Sequence, residues 1–129
     1  MKKIYFLYFI VFFIFLLDRI TKKIVTIHFD YITNTGAAFG ILKGYTFSLA
    51  IISFVVAIAL IFFIWKYPFY ELCFILGGTL GNLYDRFFIG HVIDFITIGF
   101  FPSFNYADMF NTLGVLLLLY RLEIVHRQK

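Results

Sequence analysis

Charge is scarce in this chain. Only seven of its 129 residues are Asp or Glu and eleven are Lys or Arg, whereas 63% are apolar. With a mean hydropathy of +0.97, that balance does not describe a soluble core of this size and points to an integral membrane protein. The basic residues lie scattered between apolar runs, without the stripe that nucleic-acid binding needs. Cys73 stands alone, which excludes an internal disulfide or a CxxC site. His28, His91 and His126 show no HExxH or clustered spacing, so neither a metalloprotease nor any metal or cofactor is implied. Ser48 and Ser53 sit in an apolar run with no lysine nearby, and Ser103 lacks an evident base, so serine chemistry is weakly supported.

What is present is a series of long apolar runs. Met1-Lys2-Lys3 followed by Ile4 to Leu17 resembles the start of a cleaved signal, but no small-x-small site follows. Fourteen residues cover only ~21 Å as a helix, so the segment is expected to continue to about Lys22. The other spans are expected at about 44–65, 69–86 and 108–123, with Trp65-Lys66-Tyr67 as an interfacial anchor and Pro68 in a turn. The expected fold is an all-α integral membrane protein, a single membrane domain over 1–129 with four transmembrane helices and a small extended or β element. Four spans put both termini on one side. Six basic residues (Lys2, Lys3, Lys66, Arg121, Arg127, Lys129) then face five (Arg19, Lys22, Lys23, Lys43, Arg86), a slight preference for cytoplasmic termini.

This layout gathers the polar residues. Asp18, Lys22, Asn34, Asp85, Arg86, Asp94 and Asp108 fall at one membrane face, opposite Lys66. Residues 24–43 and 87–107 connect spans on that face, and their β-prone residues suggest extended segments cupped over the helix ends. Glu71 is expected near the opposite interface, in solvent.

An acid in or near a bilayer is a functional candidate. Asp94 and Asp108 flank a short apolar stretch in which Gly99 and Pro102 allow the chain to fold back. At about 4 Å apart, with an effective dielectric of about 20, they would repel by ~4 kcal/mol. One would then keep its proton while the other stayed anionic, the arrangement general acid–base hydrolysis requires. Spacing alone is equally compatible with two interfacial acids that never meet.

The segment Gly77-Gly-Thr-Leu-Gly81-Asn82-Leu-Tyr-Asp85-Arg86 permits close helix contact and places polar groups within a turn. Asn82 and Asp85 share a face, and Arg86 is suited to pairing with an acid or to holding lipid phosphate. Asp18 and Lys22 form an i, i+4 pair, either a helix-end ion pair or a substrate contact. Asn34 beside Gly36 suits a tight turn, although its amide could also hold a peptide backbone. On these features a non-enzymatic scaffold, a channel subunit and a lipid-modifying transferase remain alternatives to a hydrolase.

Five stretches together resemble lipoprotein signal peptidase, the type II signal peptidase family. They are Asp18-Arg-Ile-Thr-Lys22, Asn34-Thr-Gly-Ala-Ala-Phe-Gly40, Gly81-Asn-Leu-Tyr-Asp-Arg86, Val92-Ile-Asp-Phe-Ile96 and Phe104-Asn-Tyr-Ala-Asp108, in the family's order across nearly the whole chain. The resemblance implies an aspartyl endopeptidase of the bacterial inner (cytoplasmic) membrane that removes signal peptides from prolipoproteins, cutting before a diacylglyceryl-modified cysteine. It implies Asp94 and Asp108 as the catalytic pair, with Asp18, Lys22, Asn34, Gly36, Asn82, Asp85, Arg86 and Asn105 supporting the site or contacting substrate. It further implies an active site on the outer (periplasmic) face, cytoplasmic termini, contact with membrane lipid and inhibition by globomycin-type cyclic peptides. Nothing calls for a second subunit. Arg19 and Lys23 are expected to lie clear of the motifs.

Overall fold

The computed structural model describes residues 2–128. Four helices pack together: α1 (Lys2–His28), α2 (Thr46–Lys66), α3 (Tyr70–Tyr84) and α4 (Tyr106–Arg127). Among them α1, α2 and α4 are long and apolar enough to cross a membrane. The 15 residues of α3 rise only ~22 Å, but a π-helical turn, Asp85–Ile89, carries the helical path onward. Central α3 packs against each of the other three.

Two kinds of surface explain the bundle. Leu7, Val11, Ala50, Ala57, Leu60, Ile64, Leu72, Cys73 and Leu76 form the buried core. Outward-facing residues such as Phe9, Phe13, Ile51, Val55 and Leu116 are just as apolar yet exposed, as suits a surface against lipid tails. Glycines bring the backbones close. A Cβ on Gly78 would collide with the carbonyl oxygen of Ala107, and one on Gly81 would lie 2.6 Å from an Asp18 carboxylate oxygen.

The extended element is smaller than the sequence suggests. Strand β1 (Ile32–Asn34) pairs antiparallel with β2 (Val92–Asp94), Ile32 opposite Asp94 and Asn34 opposite Val92. Helix α1 continues six residues beyond Lys22, so Ile24–His28 is helical and not part of a strand or hairpin. Continuing the helix keeps backbone groups bonded where water is scarce, and that outweighs the β-preference of Ile24, Val25, Thr26 and Ile27. Residues 87–89 likewise belong to the π-turn, which closes when the Gly90 amide donates to the Asp85 carbonyl (2.9 Å). The spans expected at 44–65 and 108–123 are the helices Thr46–Lys66 and Tyr106–Arg127.

Glu71 is buried rather than solvated. It accepts from Arg121 at 2.7 Å, joining α3 to α4 at the bundle end remote from Asp85.

Candidate active site

Several elements converge at the other end. Asp94 closes β2 and is buried, while Asp108 lies in the first turn of α4 and is partly exposed. Between them the chain folds back through a bridge in which Ile96 and Phe104 exchange backbone hydrogen bonds (2.9 and 3.0 Å). Gly99 makes the turn possible with a φ of +52°, in the left-handed region.

Asn105 joins the two acids. As N-cap of α4 it forms a reciprocal capping box. Its side-chain oxygen accepts from the Asp108 amide (2.9 Å), and Asp108 Oδ2 accepts from the Asn105 amide (3.0 Å). Asn105 Nδ2 also donates to Asp94 Oδ1 (2.8 Å) and to Asn82 Oδ1 (3.1 Å). Asn82 Nδ2 donates to Asp108 Oδ1 at 2.8 Å. The fourth carboxylate oxygen, Asp94 Oδ2, accepts from Asn34 Nδ2 (3.1 Å). Every oxygen of both acids therefore meets a neutral amide. Among the described residues, neither acid forms an ion pair. Burial pushes the Asp94 carboxyl up to about 6, and the negative charge of Asp108 pushes the same way. The donors Asn34 and Asn105, with the more distant Lys22, pull it down.

Asn34 performs the turn duty open from sequence and also touches one of the acids. Its Oδ1 accepts from the Gly36 amide (2.9 Å) to make a turn, while its Nδ2 reaches Asp94. Gly36 is buried where no larger residue fits, since a Cβ would lie 2.6 Å from the Ile41 carbonyl oxygen. Arg86 pairs with no acid among the described residues. Its guanidinium donates to the Gly36 carbonyl and to Ser53 Oγ, both at 3.4 Å, tying the turn to α2.

Beneath this layer lies a cluster of four ions. Lys22 Nζ contacts Asp18 (2.9 Å) and Asp85 (2.7 Å), and also donates to Asn82 Oδ1 (3.0 Å). Arg19 bridges the same two acids and covers the Tyr84 ring at 4.5 Å. Asp18 and Lys22 thus form no exposed helix-end pair, because α1 runs on past them and their side chains are 0% and 1% exposed. Arg19, expected clear of the motifs, touches two of them. Its near neighbour Lys23 is exposed. Each buried carboxylate also grips one amide. Asp85 Oδ2 accepts from Ile93 N and Asp18 Oδ1 from Ala107 N, both at 3.1 Å. These are the residues immediately before Asp94 and Asp108.

The acids open into a cavity of about 810 Å³. Asn34, Asn82, Arg86, Asp94 and Asp108 are among its polar lining, with Lys43, Asn111 and Thr112 elsewhere on the wall and Ala37 and Ala38 beside the acids' end. Its apolar wall includes Phe39, Phe101 and Phe104, then follows α4 through Met109, Leu113 and Leu116. Among the described residues no cluster of His, Cys, Asp and Glu suited to a metal ion is found.

Sequence reasoning missed Arg19, Ser53 and the Thr79–Asn111 hydrogen bond (3.4 Å) between α3 and α4. The triple-glycine segment was the available signal for the last, since glycine-permitted contact places neighbouring polar groups together.

An apolar helical bundle with two acids facing a cavity at one end defines a polytopic membrane protein with a paired-acid site. The family model described as signal peptidase (SPase) II matches residues 10–124. A lipoprotein signal peptidase from Caldanaerobacter subterraneus subsp. tengcongensis is 46% identical over 99 residues, covering 72% of this chain and 68% of that one. Another, from Syntrophomonas wolfei, is 39% identical over 124 residues, covering 81% and 83%. A bacterial membrane enzyme solved by the in meso method at 2.3 Å resolution shares the fold with a TM-score of 0.88 and 30% identity, over 95% of this chain and 90% of that one. The chain belongs to the signal peptidase II family. It is a membrane-embedded peptidase, and the scaffold and channel readings are not favoured.

Proposed function

We propose that this protein is an aspartic endopeptidase that removes signal peptides from diacylglyceryl-modified prolipoproteins, with Asp94 and Asp108 as its catalytic pair. The observation that carries the reading is the placement of two acids, held only by neutral donors, on a largely apolar cavity. The apolar wall along α4 suits a substrate that arrives within the bilayer. The acids' end suits its scissile bond.

The pair works with one proton between them, shared rather than owned by either residue. The anionic carboxylate takes a proton from water as the oxygen attacks the scissile carbonyl, and the protonated partner donates to the carbonyl oxygen. The tetrahedral intermediate then collapses. Its C–N bond breaks, a proton passes to the leaving nitrogen, and the pair returns to its starting state. Raised proton affinity at Asp94 supports a pair that holds a proton close to neutral pH. Asn34 and Arg86 line the cavity and are assigned to meet the peptide backbone, and Asn82 and Asn105, bonded to the acids, to align them.

By family analogy, the site opens on the outer face of the bacterial cytoplasmic membrane, with cytoplasmic termini. Membrane lipid surrounds the bundle, a globomycin-type cyclic peptide is expected to inhibit by occupying the cavity, and one copy suffices because both acids come from one chain. The test is cleavage of a lipobox peptide by purified protein in detergent. The diacylglyceryl form should be cut before its modified cysteine and the unmodified form far less. Failure to cut the lipidated peptide, or undiminished cutting by Asp94→Asn or Asp108→Asn, rejects the proposal.

A further inference from the structure

We propose that Arg19 is a positioning residue for peptide cleavage, the second cation of a charge-balanced frame that sets the two reactive aspartates relative to one another. The proposal rests on reading Asp94 and Asp108 as the reactive pair, and it concerns a residue that lines no part of the cavity.

The argument begins with charge. Asp18 and Asp85 are 0% exposed, so both carboxylates have left water. A buried charge persists only when paired and hydrogen-bonded. Lys22 contacts both acids but carries one positive charge against two negative ones. Arg19, 15% exposed, supplies the other. Its guanidinium reaches both acids and rests on the face of Tyr84, which holds its orientation. The four side chains sum to zero.

The frame's outputs are two hydrogen bonds. Asp85 holds the amide of Ile93, one residue before Asp94, and Asp18 holds the amide of Ala107, one residue before Asp108. Asp85 leaves the end of α3, Asp18 lies within α1, and their grips fall on β2 and α4. A bridge between these two carboxylates therefore bears on the separation of two backbone segments that are distant in sequence. Losing Arg19 leaves an excess negative charge in the frame. Repulsion between Asp18 and Asp85 then shifts one grip, and with it one reactive acid. Displacements of about 1 Å at a reacting group lower rates by as much as ~100-fold.

The experiment compares kcat and KM for the lipidated peptide in Arg19→Gln, Arg19→Lys and Lys23→Gln. Arg19→Gln should lower kcat about tenfold or more, with KM within about twofold of the parent, because the cavity wall is untouched. Arg19→Lys should restore most of kcat. Lys23→Gln removes an exposed charge from the same helix, away from the frame, and should match the parent. A normal kcat in Arg19→Gln, a change confined to KM, or an equal loss in Lys23→Gln overturns the proposal. Should Arg19→Gln fail to fold, the double variant Arg19→Gln/Asp85→Asn decides. The Asp85→Asn change keeps an acceptor for the Ile93 amide and restores neutrality, so the double variant should be better folded and more active than the single one. A double variant no better than the single one counts against charge balance. Activity persisting in Asp94→Asn and Asp108→Asn would instead overturn the reading of the reactive pair and leave the frame without its purpose.

Discussion

Asp18 and Asp85 lie one layer from Asp94 and Asp108, yet the protein holds the two pairs in opposite ways. The first pair is clamped by Lys22 and Arg19 and gives its remaining contacts to backbone amides. The second pair meets only Asn side chains and one backbone amide, and it opens on the cavity. A clamped carboxylate stays where it is and keeps its charge balanced. A carboxylate held by neutral donors has its position fixed while its proton remains exchangeable. The same residue type supplies the framework in one layer and the proposed chemistry in the next, and what separates them is the presence of a cation.

The comparison breaks most readily at the open pair. Asp94→Asn and Asp108→Asn should each lower kcat by ~10³-fold or more, the scale expected when an acid–base group is removed. Thermal melting in detergent should change little, since the amide network can rearrange around an Asn. A variant that unfolds instead would assign that acid to the framework. The clamped pair should behave the other way. Lys22→Met leaves two buried carboxylates with one cation in the drier part of the cluster, since Lys22 is 1% exposed against 15% for Arg19, and breaking such buried pairs costs about 3–5 kcal/mol. Its main signature should be lost folded protein, read from the melting temperature. A fully folded but inactive Lys22→Met would blur the distinction.

A smaller effect is expected at the residue joining the two open acids. Asn105→Ala removes a helix cap, worth about 1 kcal/mol, together with the donor to Asp94. It should lower kcat more than it lowers stability, because the Asn105 amide is the contact that holds Asp94 beside Asn82 and the start of α4. Equal loss in both would make Asn105 a cap and nothing more.

These contrasts mark how much the sequence could disclose. The acids, the asparagines and Arg86 were legible because they sit in short motifs in a recognisable order, and the apolar runs placed those motifs at one end of the spans. Arg19 sits inside the first motif, yet its role was not legible. Position 19 follows Asp18 by one residue, so helical spacing alone points its side chain away from the Asp18–Lys22 face, and only the arrival of Asp85 from α3 gives it a partner. Glu71 was misplaced for a similar reason. Its partner Arg121 lies 50 residues away, and nothing local announces a buried pair. The end of α1 was misjudged because β-branched residues read as extended, while the need to satisfy backbone groups near lipid extends the helix.

Acidity sharpens the comparison further. Burial and the charge of Asp108 raise the Asp94 carboxyl to about 6, so the pair keeps a proton to higher pH than an ordinary carboxylate does. With one proton required by the pair, cleavage should fall on the alkaline side as that proton is lost and on the acid side as a second one binds. The alkaline limb of kcat/KM should therefore lie well above the ordinary carboxylate range. Asn34→Ala removes a hydrogen bond that favours the anion and should move that limb to higher pH. Movement to lower pH, or a flat profile from about pH 4 to 9 with chemistry rate-limiting, would contradict a coupled pair.

The smallest effect on catalysis is expected at the other end of α3. Glu71 is also a buried acid, and it too has a cation, Arg121, whose guanidinium rests on the Phe69 ring at 4.5 Å. Fourteen residues of helical path separate it from Asp85, ~21 Å at the rise of an α-helix. Among the described residues only one of its oxygens is engaged, since Oε1 takes the Arg121 contacts and Oε2 is buried without a partner. Glu71→Gln keeps an acceptor for Arg121 while removing the buried negative charge. Stability should shift by about 1 kcal/mol or less, the net worth of a hydrogen bond exchanged for another. Cleavage should keep its kcat, KM and pH profile, because Glu71 makes its hydrogen bonds to Arg121 and not to β2 or the start of α4. A tenfold loss of kcat in this variant would mean that α3 transmits strain along its whole length, and burial with a cation would then no longer distinguish framework acids from reactive ones by their local contacts alone.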